Sequence, residues 1–442
     1  MKKSMSAAVI LFCAALIFAQ ETNKNEALSI TVDKAVNLAL ENNLNLKRSQ
    51  LTLDLQKKQS DFAWGSVSPS ASLSGSYSVP FTDDKTYDSS MSASASLSLS
   101  LTPSIYTTIR AAKLNYANGL ETYENAKKTI ELNVRKLFYS LLYTKESLSL
   151  QKRNLETAKQ RYLLNKDKYE LGKLSELDLL TSQVNYESLK PSLESANIAY
   201  ENSLDSFKQT LGISQEEQIS LDGKLDDFVD EKINEKYFTY DIENVPSVKT
   251  IKNSITSAEN TLLASRFSAW GPSLSVSYTY GLGKMTNVKG TATDSDSTTN
   301  ALTLSARIPL DGYLPWSSGA LSIESQKTNL ADLNLQLENQ KTSVEIDVKN
   351  GIKKINQAQS QLDSLKNNVD LAQRSYDMTL TAYNHGSKDL LTLQNAADSL
   401  LSSKINLQSQ YYTLACALLD LENTLGLPFG TLTTPEAESQ SK

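Results

Sequence analysis

The chain has 442 residues, 40% apolar and 21% charged, which suits one large or two to three ordinary folded domains and excludes wholesale disorder. A net charge of −6 and a pI near 5.2, with Lys and Arg interspersed among Asp and Glu, leave no basic footprint, so nucleic acid is excluded as a partner. One histidine and two cysteines cannot supply the clustered ligands of hydrolytic or metal chemistry, and no phosphate loop or dinucleotide glycine motif is present. No catalytic residue, metal or cofactor is assigned, and the chain does not read as an enzyme.

Lys2 and Lys3 precede an apolar run from Ala7 to Phe18 that is too short to cross a bilayer of about 30 Å as a helix. Residues 1–19 read as a cleaved secretory signal, with Ala19 before the cut and the mature chain starting near Gln20. Cys13 lies in that run behind the bulky Phe12, a poor setting for acylation. Cys416 is then left without a disulfide partner and reads as a small apolar residue packed in a helix. Later apolar positions are spaced by polar ones, so any entry into a membrane must be by strands.

Beyond the signal, the chain reads as two repeats, 20–212 and 247–426, each ordered as helix, two strands, very long helix, turn and helix. In the first, a helix ends at Phe62-Ala63-Trp64-Gly65 and passes through Pro69 into strands at 70–80 and 91–102. Ala71, Leu73, Gly75, Tyr77 and Val79 alternate with serines, and Met91, Ala93, Ala95, Leu97, Leu99 and Leu101 do the same. A helix over 103–171 follows, about 100 Å long at 1.5 Å per residue. Val134, Leu141, Leu148, Leu155, Tyr162 and Tyr169 form a seven-residue stripe along it, as in helices that supercoil to keep one seam on a partner. Gly172 supplies the left-handed residue that ends it. A shorter antiparallel helix returns over 175–211, with a kink expected at Pro191.

Residues 213–246 break periodicity and are acidic, a linker in their own right. The second repeat then restates the first. Phe267-Ser268-Ala269-Trp270-Gly271-Pro272 leads into strands at 273–281 and 300–310, joined to a helix over 316–385. Val348, Ile355, Leu362, Val369, Tyr376 and Tyr383 repeat the stripe, each 214 residues after its counterpart. Gly386 ends the helix, another returns over 389–425, and 427–442 is a tail whose last residues, from Thr433, read as disordered.

The four strands have one apolar and one small polar face, a pattern that fits either a half-buried soluble sheet or a transmembrane barrel wet on the inside. Ten tilted residues suffice to cross a membrane. Trp64, Trp270 and Trp316 each stand where helix meets strand, as an aromatic girdle at a membrane interface would require. Four strands cannot close a barrel, so other copies must supply the rest, two copies giving eight strands and three giving twelve. A surface or periplasmic coiled-coil protein of structural or adhesive type is the rival reading.

Leu38-Ala39-Leu40-Glu41-Asn42-Asn43 is similar to the first-helix motif of the TolC-like outer-membrane efflux family, and Leu171-Gly172-Lys173-Leu174-Ser175-Glu176-Leu177-Asp178-Leu179-Leu180 resembles its helix-turn-helix tip. The order, spacing and duplication of these motifs extend the resemblance across nearly the whole mature chain. It implies a mainly α fold with a transmembrane β part: a long coiled-coil α-barrel in the periplasm, and four strands per chain within a twelve-stranded barrel in outer-membrane lipid. It also implies a homotrimer whose tips dock a periplasmic adaptor linked to an inner-membrane pump, and makes 213–246 a belt around the helical part. The family's closed entrance implies a latch, matched here by Asp178 on the first turn and Tyr383 and Lys388 around the second. At the narrowest ring two inward aspartates are replaced by Thr392 and Asn395, so the resemblance carries no strong cation selectivity to this chain.

Overall fold

A computed structural model describes residues 28–79, 88–226, 240–287 and 295–432. The secretory signal over 1–19 and the tail from Thr433 lie outside the described residues. Strand β1 (Leu28–Ile30) leads into helices α1 (Val32–Asn42) and α2 (Leu44–Asp61). A 3-10 segment (Phe62–Val67), β2 (Ser70–Ser78), β3 (Asp88–Leu101), α3 (Ser104–Glu170) and α4 (Glu176–Leu211) complete the first repeat. After β4 (Ile219–Leu221), the second repeat runs through α5 (Pro246–Trp270), β5 (Ser273–Asn287), β6 (Ser295–Arg307), α6 (Ser318–Asn384) and α7 (Leu390–Leu425). Both long helices have 67 residues and both returning helices 36. α4 passes through Pro191 without ending.

The chain divides into two compact units, one of residues 1–46, 127–240 and 348–442, the other of residues 47–126 and 241–347. In the first, Val134, Leu141, Leu148, Val348, Ile355 and Leu362 of the two stripes are buried, with Phe138, Phe207, Leu414 and Leu418 among them. The stripes pass into half-buried and exposed positions as they approach the turns. Burying such aliphatic side chains contributes roughly 1.5–3 kcal/mol each, so the hairpins are held mainly at the end away from the turns.

Two elements of this unit escape the sequence pattern. β1 and β4 pair in parallel, Leu28 with Ile219 and Ile30 with Leu221, placing a strand inside the 213–246 linker. Residues 227–239 of that linker lie outside the described residues. The start of the tail is also fixed: Glu422, almost fully buried, accepts the backbone N–H groups of Gly430 at 3.0 Å and Leu432 at 2.9 Å. Burial raises its pKa above the usual carboxylate range, against the pull of these bonds and of Arg135.

The second unit holds an antiparallel sheet in the order β2-β3-β5-β6. Register sets Ala71, Leu97, Tyr278 and Leu302 in one row and Leu99, Val276 and Leu304 in the next, all on one face. Among the helices of this unit, Leu262, Ala269 and Ile323 form a small core, and Asn260 Nδ2 donates to the Thr107 carbonyl at 2.9 Å. β3, β5 and β6 have 14, 15 and 13 residues, longer than the spans 91–102, 273–281 and 300–310 read from alternation. Pairing continues past the apolar rows through polar pairs such as Gly283 with Ser297 and Lys284 with Asp296. Ladder hydrogen bonds do not require apolar side chains, so alternation of polarity underestimates strand length. At its other end β6 stops at Arg307, leaving Ile308 to Leu310, read as strand from their alternation, outside the ladder.

Candidate functional site

The residues singled out in the sequence gather mainly in two places: the hairpin turns of the first unit and the sheet of the second. At the turns, Gly172 and Gly386 adopt φ of 69° and 74°. Gly172 donates its N–H to the Tyr169 carbonyl and Lys173 to that of Lys168; Gly386 and Ser387 repeat this with Tyr383 and Ala382. These paired bonds satisfy carbonyls that the helix end leaves open, and the left-handed residue they need is glycine. Side chains that open the returning helices then accept from the first turn. Ser175 Oγ takes the Asp178 N–H at 3.2 Å, and Asp389 Oδ1 takes the Thr392 N–H at 2.8 Å. The hydroxyl and N–H of Thr392 hold the Asp389 carboxyl below its usual range.

The five residues that the resemblance assigns to the entrance lie at these turns or in the helices beside them. Asp178 is half-buried and its Oδ2 accepts the Ser175 hydroxyl at 2.7 Å. Tyr383 donates its hydroxyl to Oδ1 of Asn165 on α3 at 3.0 Å, and the Lys168 ammonium lies 5.6 Å from its ring centroid. Lys388 and Asn395 are exposed, and Thr392 donates its N–H to Asp389, the cap of α7. Among the described residues no hydrogen bond or ion pair within the chain joins Asp178, Tyr383 and Lys388. Asn165 was missed from sequence. It stands three residues after Tyr162, on the second seam of the seven-residue pattern, where Ala158 one repeat earlier is buried as a plain core residue.

In the sheet both faces are open. Ser70, Ser72, Ser74 and Ser76 bond across to Ser98, Ser96, Ser94 and Ser92 through their hydroxyls at 2.7, 2.7, 2.8 and 2.8 Å. Each hydroxyl can donate one bond and accept others, so the ladder leaves acceptor capacity for water. On the opposite face Leu73 is 84% exposed and Leu302 74%. Apolar groups so placed are far from water only if something apolar covers them. Trp64 lies in the 3-10 segment, Trp270 ends α5, and Trp316 precedes α6 and is 81% exposed. Trp270 Nε1 donates to the Gly312 carbonyl at 2.8 Å and its ring stacks on Tyr313. Among the described residues no helix is long and apolar enough to cross a membrane.

The sequence pattern of the family described as "Outer membrane efflux protein" matches residues 35–213 and 242–427, one match for each repeat. Outer membrane protein TolC of Salmonella enteritidis is 22% identical over 324 residues, covering 69% of this chain but only 62% of that protein, so the chain spans less than two thirds of its relative. The Campylobacter jejuni CmeC outer membrane channel superposes with a TM-score of 0.72 at 19% identity over 92% of this chain and 90% of that one. The open state of the Neisseria gonorrhoeae MtrE outer membrane channel gives 0.71 at 19% identity over 90% and 89%. These channels share the fold of two helical hairpins joined to a four-stranded sheet, and the two-part match, which covers most of the sequence, places the chain in a family: it belongs to the outer membrane efflux proteins.

Proposed function

We propose that this chain is one subunit of a homotrimeric channel in the outer membrane, a passive gated exit for small molecules or proteins that are driven by an inner-membrane pump through a periplasmic adaptor. The sheet carries this reading. Its outer edges, on β2 and β6, have no neighbour among the described strands, and its two faces differ in polarity. In lipid an open edge leaves backbone groups without partners, so closure is obligatory. Barrels of single bacterial chains begin at about eight strands, and three copies of this chain supply twelve. The serine face then lines a wet lumen and the leucine face meets lipid, with Trp64, Trp270 and Trp316 at the boundary with water.

The hairpin turns form the periplasmic entrance. Asp178, Tyr383 and Lys388 make its latch, and a phenol bond and an ion pair at a partly wet constriction contribute about 1 kcal/mol each, weak enough for an adaptor to undo. Thr392 and Asn395 leave the ring uncharged. The small polar lining suits passive transit, with direction and energy supplied by the pump.

The test is to purify the mature protein from outer membranes in mild detergent, measure its mass by light scattering and record single-channel currents. A trimer with small, gated conductance is expected. A non-conducting soluble monomer or rod would overturn the reading in favour of a structural coiled-coil protein.

A further inference from the structure

Tyr383 makes a hydrogen bond that the latch does not use, to Asn165. Asn165 is fully buried, its Oδ1 accepts the Tyr383 hydroxyl at 3.0 Å, and its Nδ2 meets no acceptor among the described residues. A phenol has a single proton, so a bond donated to Asn165 and one donated to Asp178 exclude each other. Asp178 Oδ2 accepts the Ser175 hydroxyl on its own hairpin at 2.7 Å, and a carboxylate that accepts one bond can still accept the phenol. The choice between the two acceptors therefore lies with the Tyr383 proton. Lys168, on the helix that carries Asn165, adds its ammonium to the Tyr383 ring.

We propose that Asn165 is a positioning residue of the entrance: it holds the Tyr383 hydroxyl when the latch is undone, and its competition with Asp178 sets the fraction of time the entrance is open. The proposal rests on the assignment of Tyr383 and Asp178 to the latch. Burial favours Asn165 as a competitor, because its Oδ1, once the tyrosine hydroxyl has left, has no water to replace it. A purely structural role would be better served by an apolar residue, as at Ala158, since an amide with an unused buried donor costs stability that packing does not recover.

The experiment records open and closed dwell times of the full-length channel in planar bilayers. Asn165→Leu removes the acceptor and is expected to lower the open-to-closed ratio roughly fivefold, the ratio that one ordinary hydrogen bond sustains. In a Tyr383→Phe background, which has no hydroxyl to place, it should change nothing further. Asn165→Asp keeps the shape and the acceptor, and because Nδ2 donates to nothing among the described residues no bond is lost, so the ratio should stay at or above that of the unaltered chain.

A fall of equal size with and without the Tyr383 hydroxyl would make Asn165 structural and overturn the proposal. An unchanged ratio in Asn165→Leu, with a clear effect of Tyr383→Phe, would leave the latch standing and remove Asn165 from it. No effect of Tyr383→Phe would dispose of the latch itself. If Asn165→Leu is not recovered as an oligomer, Asn165→Asp decides alone: a ratio below that of the unaltered chain counts against the proposal.

Discussion

Asp178 and Lys388 make the simplest test of the entrance, because each can be shortened without touching a core. Asp178 is half-buried at the start of α4 and Lys388 is exposed beside the cap of α7. Asp178→Ala or Lys388→Ala should raise the resting conductance in a planar bilayer, and the difference should shrink in high salt because exposed charges are screened within about 10 Å at 0.1 M. An unchanged closed-state conductance would count against the assignment. The turn was legible in the sequence because glycine at 172 and 386 is a backbone requirement that a single letter reveals. Asn165 was not, because a polar residue on a helical seam gives no sign of being buried until the facing helix is in place.

At the scale of elements, the sheet invites a substitution on each face. Leu97 sits in an apolar row with Ala71, Tyr278 and Leu302, whereas Ser96 bonds to Ser72 on the other face. Leu97→Arg should impair assembly into the membrane by about 2–4 kcal/mol if the row lies near the bilayer midplane. Ser96→Arg should assemble and change the conductance instead. Heat-modifiable oligomers on a gel report the first and single-channel currents the second, and normal insertion of Leu97→Arg would mean that the faces are exchanged. The helices and the paired cores of the strands were readable because their periods, seven and two, repeat often enough to exceed chance. β1 and β4 were not, since three residues show no period and their pairing joins Leu28 to Ile219, a contact with no local signal. The hold of Glu422 on Gly430 and Leu432 was hidden for the same reason: a glutamate near a helix end is ordinarily read as solvated.

For the whole molecule, the number of copies is the property that a single chain specifies least. Four strands per chain allow closure at eight or twelve, and which closes depends on tilt and stagger between copies, which no residue within one sheet fixes. Cross-linking the open edges reads the number directly. Cys416 is replaced by serine, Ser74→Cys is placed on β2, and a second cysteine is walked along β6 from Asp296 to Arg307. Disulfides need Cα atoms within about 4.4–6.8 Å, so only positions facing Ser74 across a paired edge will oxidise readily. Within one chain β3 and β5 lie between the two edges, so the bond forms only between copies. A ladder of one, two and three chains, ending at three, is the expected result and gives twelve strands. A ladder ending at two would mean an eight-stranded barrel and a dimer. No cross-link at any position of the walk would mean that β2 and β6 do not meet, and the sheet would then have to find its apolar cover in some way other than a barrel shared among copies.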